Sequence, residues 1–154
     1  MEKNPDANRY FKQIVAGTDG SDSAGVALRR AISLATSDGA VLTVVSAYAR
    51  SAAHVAREDQ VPRDVRYEVG AREEVNMILA GASSEARRAG VEVKTEAVRG
   101  NAAEAILALA ARVDADLIVV GSKGMSGTRR YLLGSVPNSV SHHAHCSVMI
   151  VHTC

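Results

Sequence analysis

Short apolar runs alternate with longer helix-periodic segments along this chain, and that alternation limits the fold more than any other feature. The strand-like runs are KQIVAGT (Lys12 to Thr18), VLTVVSA (Val41 to Ala47), VEVKTEAV (Val91 to Val98), DLIVV (Asp116 to Val120) and SVMIVH (Ser147 to His152). The fourth is continuously apolar after its leading Asp116, as a strand covered on both faces is, the second reads as another buried strand, and the third alternates like a half-buried strand. Between the first two, Ser23 to Thr36 carries Val26, Ala27, Ala31 and Leu34 at helical spacing, and Asp38-Gly39 stops it. A second helix is expected from about Gly70 to Arg88, closed by Ala89-Gly90. Asn101-Ala102-Ala103-Glu104 has the form of a capping box and opens a third helix reaching about Val113. A fourth lies near Val136 to His143. Strands alternating with helices imply an α/β domain: an open parallel sheet of five strands with helices on both faces.

Two segments carry no such period. Met1 to Arg9 is polar and reads as a flexible tail before a single domain spanning residues 10–154. Tyr48 to Val69 reads as a long loop, of the kind that is often functional.

Composition narrows the function. With 154 residues, 47% of them hydrophobic and 23% charged, the chain can bury one real core. Aromatic residues make up only 3%, which weighs against stacking platforms for single-stranded nucleic acid. A formal net charge of +1 gives no bulk pull toward nucleic acid or an anionic membrane, so neither is expected as a partner. No apolar run approaches the roughly 20 residues of a membrane-spanning helix. The opening MEKNPDANRYF has no hydrophobic signal core. Cys146 and Cys154 lie close together and form no disulfide framework, so a reduced, cytoplasmic protein is expected.

The chemistry concentrates in GSKGMSGTRRYLLGSVP, directly after the fourth strand. Gly121, Gly124 and Gly127 recur at steps of three, and Gly134-Ser135 follow, giving the spacing G-x2-G-x9-G-S. Glycine leaves backbone N–H groups uncovered, and a following helix N-terminus adds about half a positive charge, so strand, glycine run and helix together suit a phosphate. Neither a G-x-x-x-x-G-K-[ST] loop nor a G-x-G-x-x-G fingerprint is present. Asp19, after the first strand in GTDGS, reads equally as a ligand-facing carboxylate or as a helix cap. Lys123, Arg129 and Arg130 read either as phosphate-neutralising charges or as a solvated face. His142, His143, His145 and Cys146 are potential metal donors, but neighbouring helical side chains diverge by roughly 100°, which disfavours a metal site. Cys146 precedes an apolar strand and reads as a small core residue rather than a nucleophile.

The segments KQIVAGTDGS, ADLIVVGSKG and LLGSVPNSV resemble the universal stress protein family in its ATP-binding class, and the resemblance runs from Lys12 to His152. It implies a Rossmann-like sheet in the order 3-2-1-4-5, similar to that of the adenine nucleotide alpha-hydrolases. It also implies a site. Thr18 and Asp19 sit against the adenine and near the metal-phosphate end, and Ala47 lines the adenine pocket. Val120 and Gly121 border the base and ribose, and Gly124 packs near the ribose and phosphates. Gly134, Ser135 and Val136 donate to the phosphates. The implied ligand is ATP, with Asp19 placed to share a magnesium ion, and the implied assembly is a homodimer through the last strand. Pro137 lacks an N–H in the first turn of the fourth helix; it reads either as shaping a helix start where proline is well tolerated or as shifting the balance toward fewer phosphates, and some family members bind AMP or cyclic AMP. Paired carboxylates, a catalytic triad and a zinc motif are not evident, so at most slow ATP hydrolysis is expected. The readings that stand are a nucleotide-binding regulatory stress protein, a slow ATPase or self-phosphorylating enzyme, and a ligand-free dimeric interaction module.

Overall fold

The computed structural model describes residues 9–48, 61–123 and 133–153, with side chains from residue 69 onward in the second of these stretches. Chain order is β1 (Gln13–Gly17), α1 (Asp22–Asp38), β2 (Val41–Tyr48), α2 (Val61–Arg88), β3 (Val93–Arg99), α3 (Ala102–Arg112), β4 (Leu117–Gly121), α4 (Ser135–His143) and β5 (Ser147–Val151). The strands form one sheet in the order β3-β2-β1-β4-β5, every neighbouring pair parallel. This is the Rossmann-like arrangement that the resemblance implied.

The period-two pattern of the strands sorts the core into two layers. Ile14, Ala16, Leu42, Val44, Leu117 and Val119 face α1 and α2. Val15, Val45, Ile118 and Val120 point the other way, against α3 and α4. Ile14, Val15, Leu42, Val44, Leu117, Ile118 and Val119 are all at most 1–2% exposed, which is why β1, β2 and β4 read as mostly apolar runs, with Thr43 and Ser46 the buried polar exceptions in β2. Asp116 fastens the central pair: its carboxylate accepts from the Lys12 N–H at 2.7 Å, and its own N–H donates to the Gln13 carbonyl at 3.0 Å.

Helix ends follow local chemistry. Asn101 caps α3 by accepting from the Glu104 N–H at 3.1 Å. Gly39, at φ 64°, ends α1 with its N–H on the Ala35 carbonyl. The largest departure from the sequence expectation is α2, which begins at Val61 rather than near Gly70. Among residues 69–88, the buried positions are Val75, Leu79, Ala82 and Ala86. These four positions form the apolar stripe that makes this part of the helix legible. Gly70 has open space around its Cα, and an interior glycine costs only about 1 kcal/mol, too little to stop a helix. Pro62 stands in the first turn, where its missing N–H has no intrahelical use. Residues 61–69 of the loop expected over 48–69 are thus helical, and residues 49–60 lie outside the described residues.

Candidate functional site

In an open parallel sheet, a crevice forms beyond the carboxyl ends of the strands where the strand order reverses. Here that point lies between β1 and β4, whose strands run side by side with Ala16 opposite Val119. Both strands end in glycine, Gly17 and Gly121.

After β1 the chain turns on its own side chains. The Gly20 N–H donates to Thr18 Oγ1 at 3.2 Å, and the Ser21 N–H donates to Asp19 Oδ1 at 2.9 Å. Gly20 takes φ +78°, a left-handed conformation that side-chain-bearing residues rarely adopt. Ser21 then caps α1, its hydroxyl accepting from the Ala24 N–H at 3.1 Å. The helix cap is therefore Ser21, where the sequence had also offered Asp19, and Asp19 shapes the turn before it.

Beyond β4, Ser122 and Lys123 begin the glycine-rich segment. Its far end returns to its start, because the Gly134 N–H donates to the Ser122 carbonyl at 2.9 Å. Gly134 stands at the N-terminus of α4 and makes no side-chain cap. A Cβ at Gly134 would lie 3.3 Å from the Ser122 carbonyl oxygen, so the close approach favours glycine. Helix geometry leaves the Ser135 and Val136 N–H groups without intrahelical carbonyls. Asn138 donates to the Gly134 carbonyl at 3.0 Å, and Pro137 has no N–H to offer.

These elements enclose a cleft of about 310 Å³. Its apolar part is made by Gly17, Val45, Ala47, Ile106 and Val120, and its polar end by Asp19, Lys123, Gly134 and Ser135. Thr18, Gly121 and Val136 complete the set of expected positions brought together here. Gly124 lies outside the described residues, as do Gly127, Arg129 and Arg130. The sequence reading missed Ala102 and Ile106, which α3 lends to the wall, and Ala24 from α1. Val45 was findable, since it shares a strand face with Ala47 two residues on. A larger, open groove of about 650 Å³ runs between α2 and β3, but it lies away from the strand ends.

The other candidates do not assemble. His142, His143 and His145 are exposed, and His143 Nδ1 pairs with the Ser139 carbonyl at 2.9 Å. No group of three metal-donor side chains gathers among the described residues. Cys146 packs against the α3–α4 core. Burial, and then the charge of Asp116, raise its pKa, which keeps the thiol protonated and unreactive near neutral pH. No helix among the described residues is long and apolar enough to cross a membrane.

Comparison with known proteins agrees with this architecture. The model of the universal stress protein family matches residues 10–152. Universal stress protein Rv1636 of Mycobacterium tuberculosis is 40% identical over 144 residues, covering 93% of this chain and 97% of that protein. Universal stress protein MJ0531 of Methanocaldococcus jannaschii is 35% identical over 144 residues, with 92% and 82% covered. Among solved structures, a universal stress protein in complex with cAMP superposes with TM-score 0.69 at 34% identity, over 94% of this chain and 98% of that one. The structure of MJ0577 superposes with TM-score 0.80 at 24% identity, over 92% and 95%, a likeness of fold alone. The chain belongs to the universal stress protein family.

Proposed function

We propose that this protein binds an adenine nucleotide in the cleft between β1 and β4 and acts by that binding rather than by catalysis. One observation carries the reading: the ends of both strands, the neck of the glycine-rich segment and the N-terminus of α4 converge on a single cleft. Its apolar part suits a purine, and its polar end suits a phosphate. Thr18, Ala47 and Val120 would face the base, Gly121 the ribose, and Gly134, Ser135 and Val136 the phosphate. Asp19 would lie where a magnesium ion bridging to the phosphates is held. The solved universal stress protein in complex with cAMP, 34% identical, supports an adenine nucleotide of this kind.

Two readings of the ligand stand beside each other. The glycine spacing favours ATP, with magnesium. Pro137 removes a first-turn donor, and together with the cAMP-bound relative it favours a single phosphate, as in AMP or cyclic AMP. Among the described residues Asp19 is the one carboxylate lining the cleft, and its Oδ1 accepts from Ser21, which favours a turn-shaping and ion-holding role over that of a general base. The protein is therefore read as a cytoplasmic regulatory stress protein with at most slow hydrolysis.

Calorimetric titration with ATP-magnesium, AMP, cyclic AMP and, as a control, GTP tests this. Saturable binding of an adenine nucleotide with GTP excluded is the expected result, and the tightest ligand decides the phosphate count. Failure of every adenine nucleotide to bind at millimolar concentration would refute the proposal.

The same proposal includes a homodimer. β5 stands at the end of the sheet order, so among the described residues its outer edge has no partner strand. Pairing with the same strand of a second copy about a two-fold axis would satisfy both edges at once.

A further inference from the structure

Thr153, the second residue after β5, reaches back across the sheet end to the entrance of the glycine-rich segment. Its N–H donates to Ser122 Oγ at 3.2 Å, and its hydroxyl lies 3.2 Å from the same oxygen. The Thr153 hydroxyl also pairs with that of Ser23, the second residue of α1. The Ser23 hydroxyl in turn donates to the Lys123 carbonyl at 2.9 Å.

One proton arrangement satisfies every member. A hydroxyl has one hydrogen to give, and that of Ser23 is committed to Lys123. Thr153 must therefore donate to Ser23, and Ser122 to Thr153. The three hydroxyls then form a one-way chain from Ser122, just after β4, through Thr153 and Ser23 to the Lys123 carbonyl. The Ser122 backbone is held at both of its own groups: its N–H donates to the Val151 carbonyl at 2.9 Å, and its carbonyl accepts from Gly134 at 2.9 Å. Gly134 in turn stands at the start of α4, whose first residues Ser135, Val136 and Pro137 line the cleft.

We propose that Thr153, acting through Ser122 and Ser23, is a positioning residue for the phosphate end of the cleft. The proposal rests on the nucleotide reading above. It does not require Thr153 to touch the ligand, and Thr153 does not line the cleft. Its hydroxyl fixes Ser122, Ser122 fixes Gly134, and Gly134 aims the Ser135 and Val136 donors. Donors held before the ligand arrives need no ordering on binding, so loosening them weakens phosphate recognition while leaving the purine pocket of Val45, Ala47 and Val120 unchanged.

The test uses the full-length protein with Thr153→Val, which keeps shape and removes the hydroxyl, and Thr153→Ser, which restores it. AMP, cyclic AMP, ATP-magnesium and adenosine are titrated against each. Thr153→Val should bind the phosphate-bearing ligands about tenfold more weakly, hold adenosine at wild-type affinity, and be rescued by Thr153→Ser. In parallel, amide hydrogen exchange at Gly134 should accelerate in Thr153→Val without any ligand, since its acceptor Ser122 is loosened. Wild-type nucleotide affinity in Thr153→Val, or an equal loss for adenosine, would overturn the proposal. Failure of the wild type itself to bind any nucleotide would instead refute the underlying reading, so the two failures are distinct. Unchanged exchange at Gly134 would overturn the positioning role in either case.

Discussion

Gly17→Ala places one methyl group where the structure has no room for it. A Cβ on Gly17 would stand 2.5 Å from Ile106 Cδ1, 3.1 Å from Ile106 Cγ1 and 3.7 Å from Val120 Cγ1. Carbon atoms in ordinary contact sit about 3.5–4.0 Å apart, so Cδ1 must retreat by about 1 Å. Ile106 is 3% exposed and packed within the α3–α4 core, while its other side lines the cleft. The open direction is therefore into the cleft. Overpacking of this kind costs about 1–3 kcal/mol, and the reduced freedom of the unfolded chain offsets about 0.4–1 of it. The net loss should be about 1–2 kcal/mol, or roughly 2–8 °C in melting temperature for a chain of this size. Adenine nucleotide affinity should fall about tenfold, because Ile106 then fills part of the space for the base. Ile106→Val removes the colliding Cδ1 and by itself should cost about 0.5–1.5 kcal/mol. The double variant Gly17→Ala/Ile106→Val should lose less than the two single variants together, by about 0.5–1.5 kcal/mol, and should recover affinity. Thermal unfolding by circular dichroism and calorimetric titration on all four proteins give the cycle. Strict additivity in both measurements would show that the clash is not what Gly17 avoids.

Ser21→Ala removes the cap of α1 and should lower stability by about 1 kcal/mol, with a fall of roughly 2–4 °C in melting temperature; an unchanged melt would refute the capping role. Asp19→Asn keeps an oxygen to accept from Ser21 and should leave the melt unchanged while weakening ATP-magnesium more than AMP. Equal weakening of both ligands would count against a metal-bearing role. The wild type should be dimeric by light scattering at tens of micromolar. Ile150→Lys or Met149→Asp should dissociate it, provided circular dichroism shows the fold intact, since both residues also pack partly against the core. A monomeric wild type would rule out pairing through β5.

Much of the architecture is local and was legible. The runs of β1, β2 and β4 were legible because strands covered on both faces are built mostly from apolar residues, and β3 was legible by its alternation as a half-buried edge strand. Asn101 and Gly39 ended helices where they stand because capping depends on residues within one turn of each other. The expected cleft positions within the described residues converged because each sits at a strand end or helix start, and the fold class dictates where those ends meet. Even so, strand order came from resemblance, since periodicity tells which face a residue takes and not which strand lies beside it.

What only the tertiary structure decided has a common physical character. The start of α2 escaped notice because Val61 to Val69 shows no clean helical period in the sequence. The choice of Ser21 over Asp19 as cap turned on backbone geometry at Gly20, where either side chain had the right chemistry. Ala102 and Ile106 entered the cleft through the packing of α3 onto β1 and β2. Ser23 meets Lys123 across 100 residues and Thr153 across 130. A hydrogen bond of that span leaves no mark on the sequence around either partner, because the chain meets itself there only after the sheet has formed.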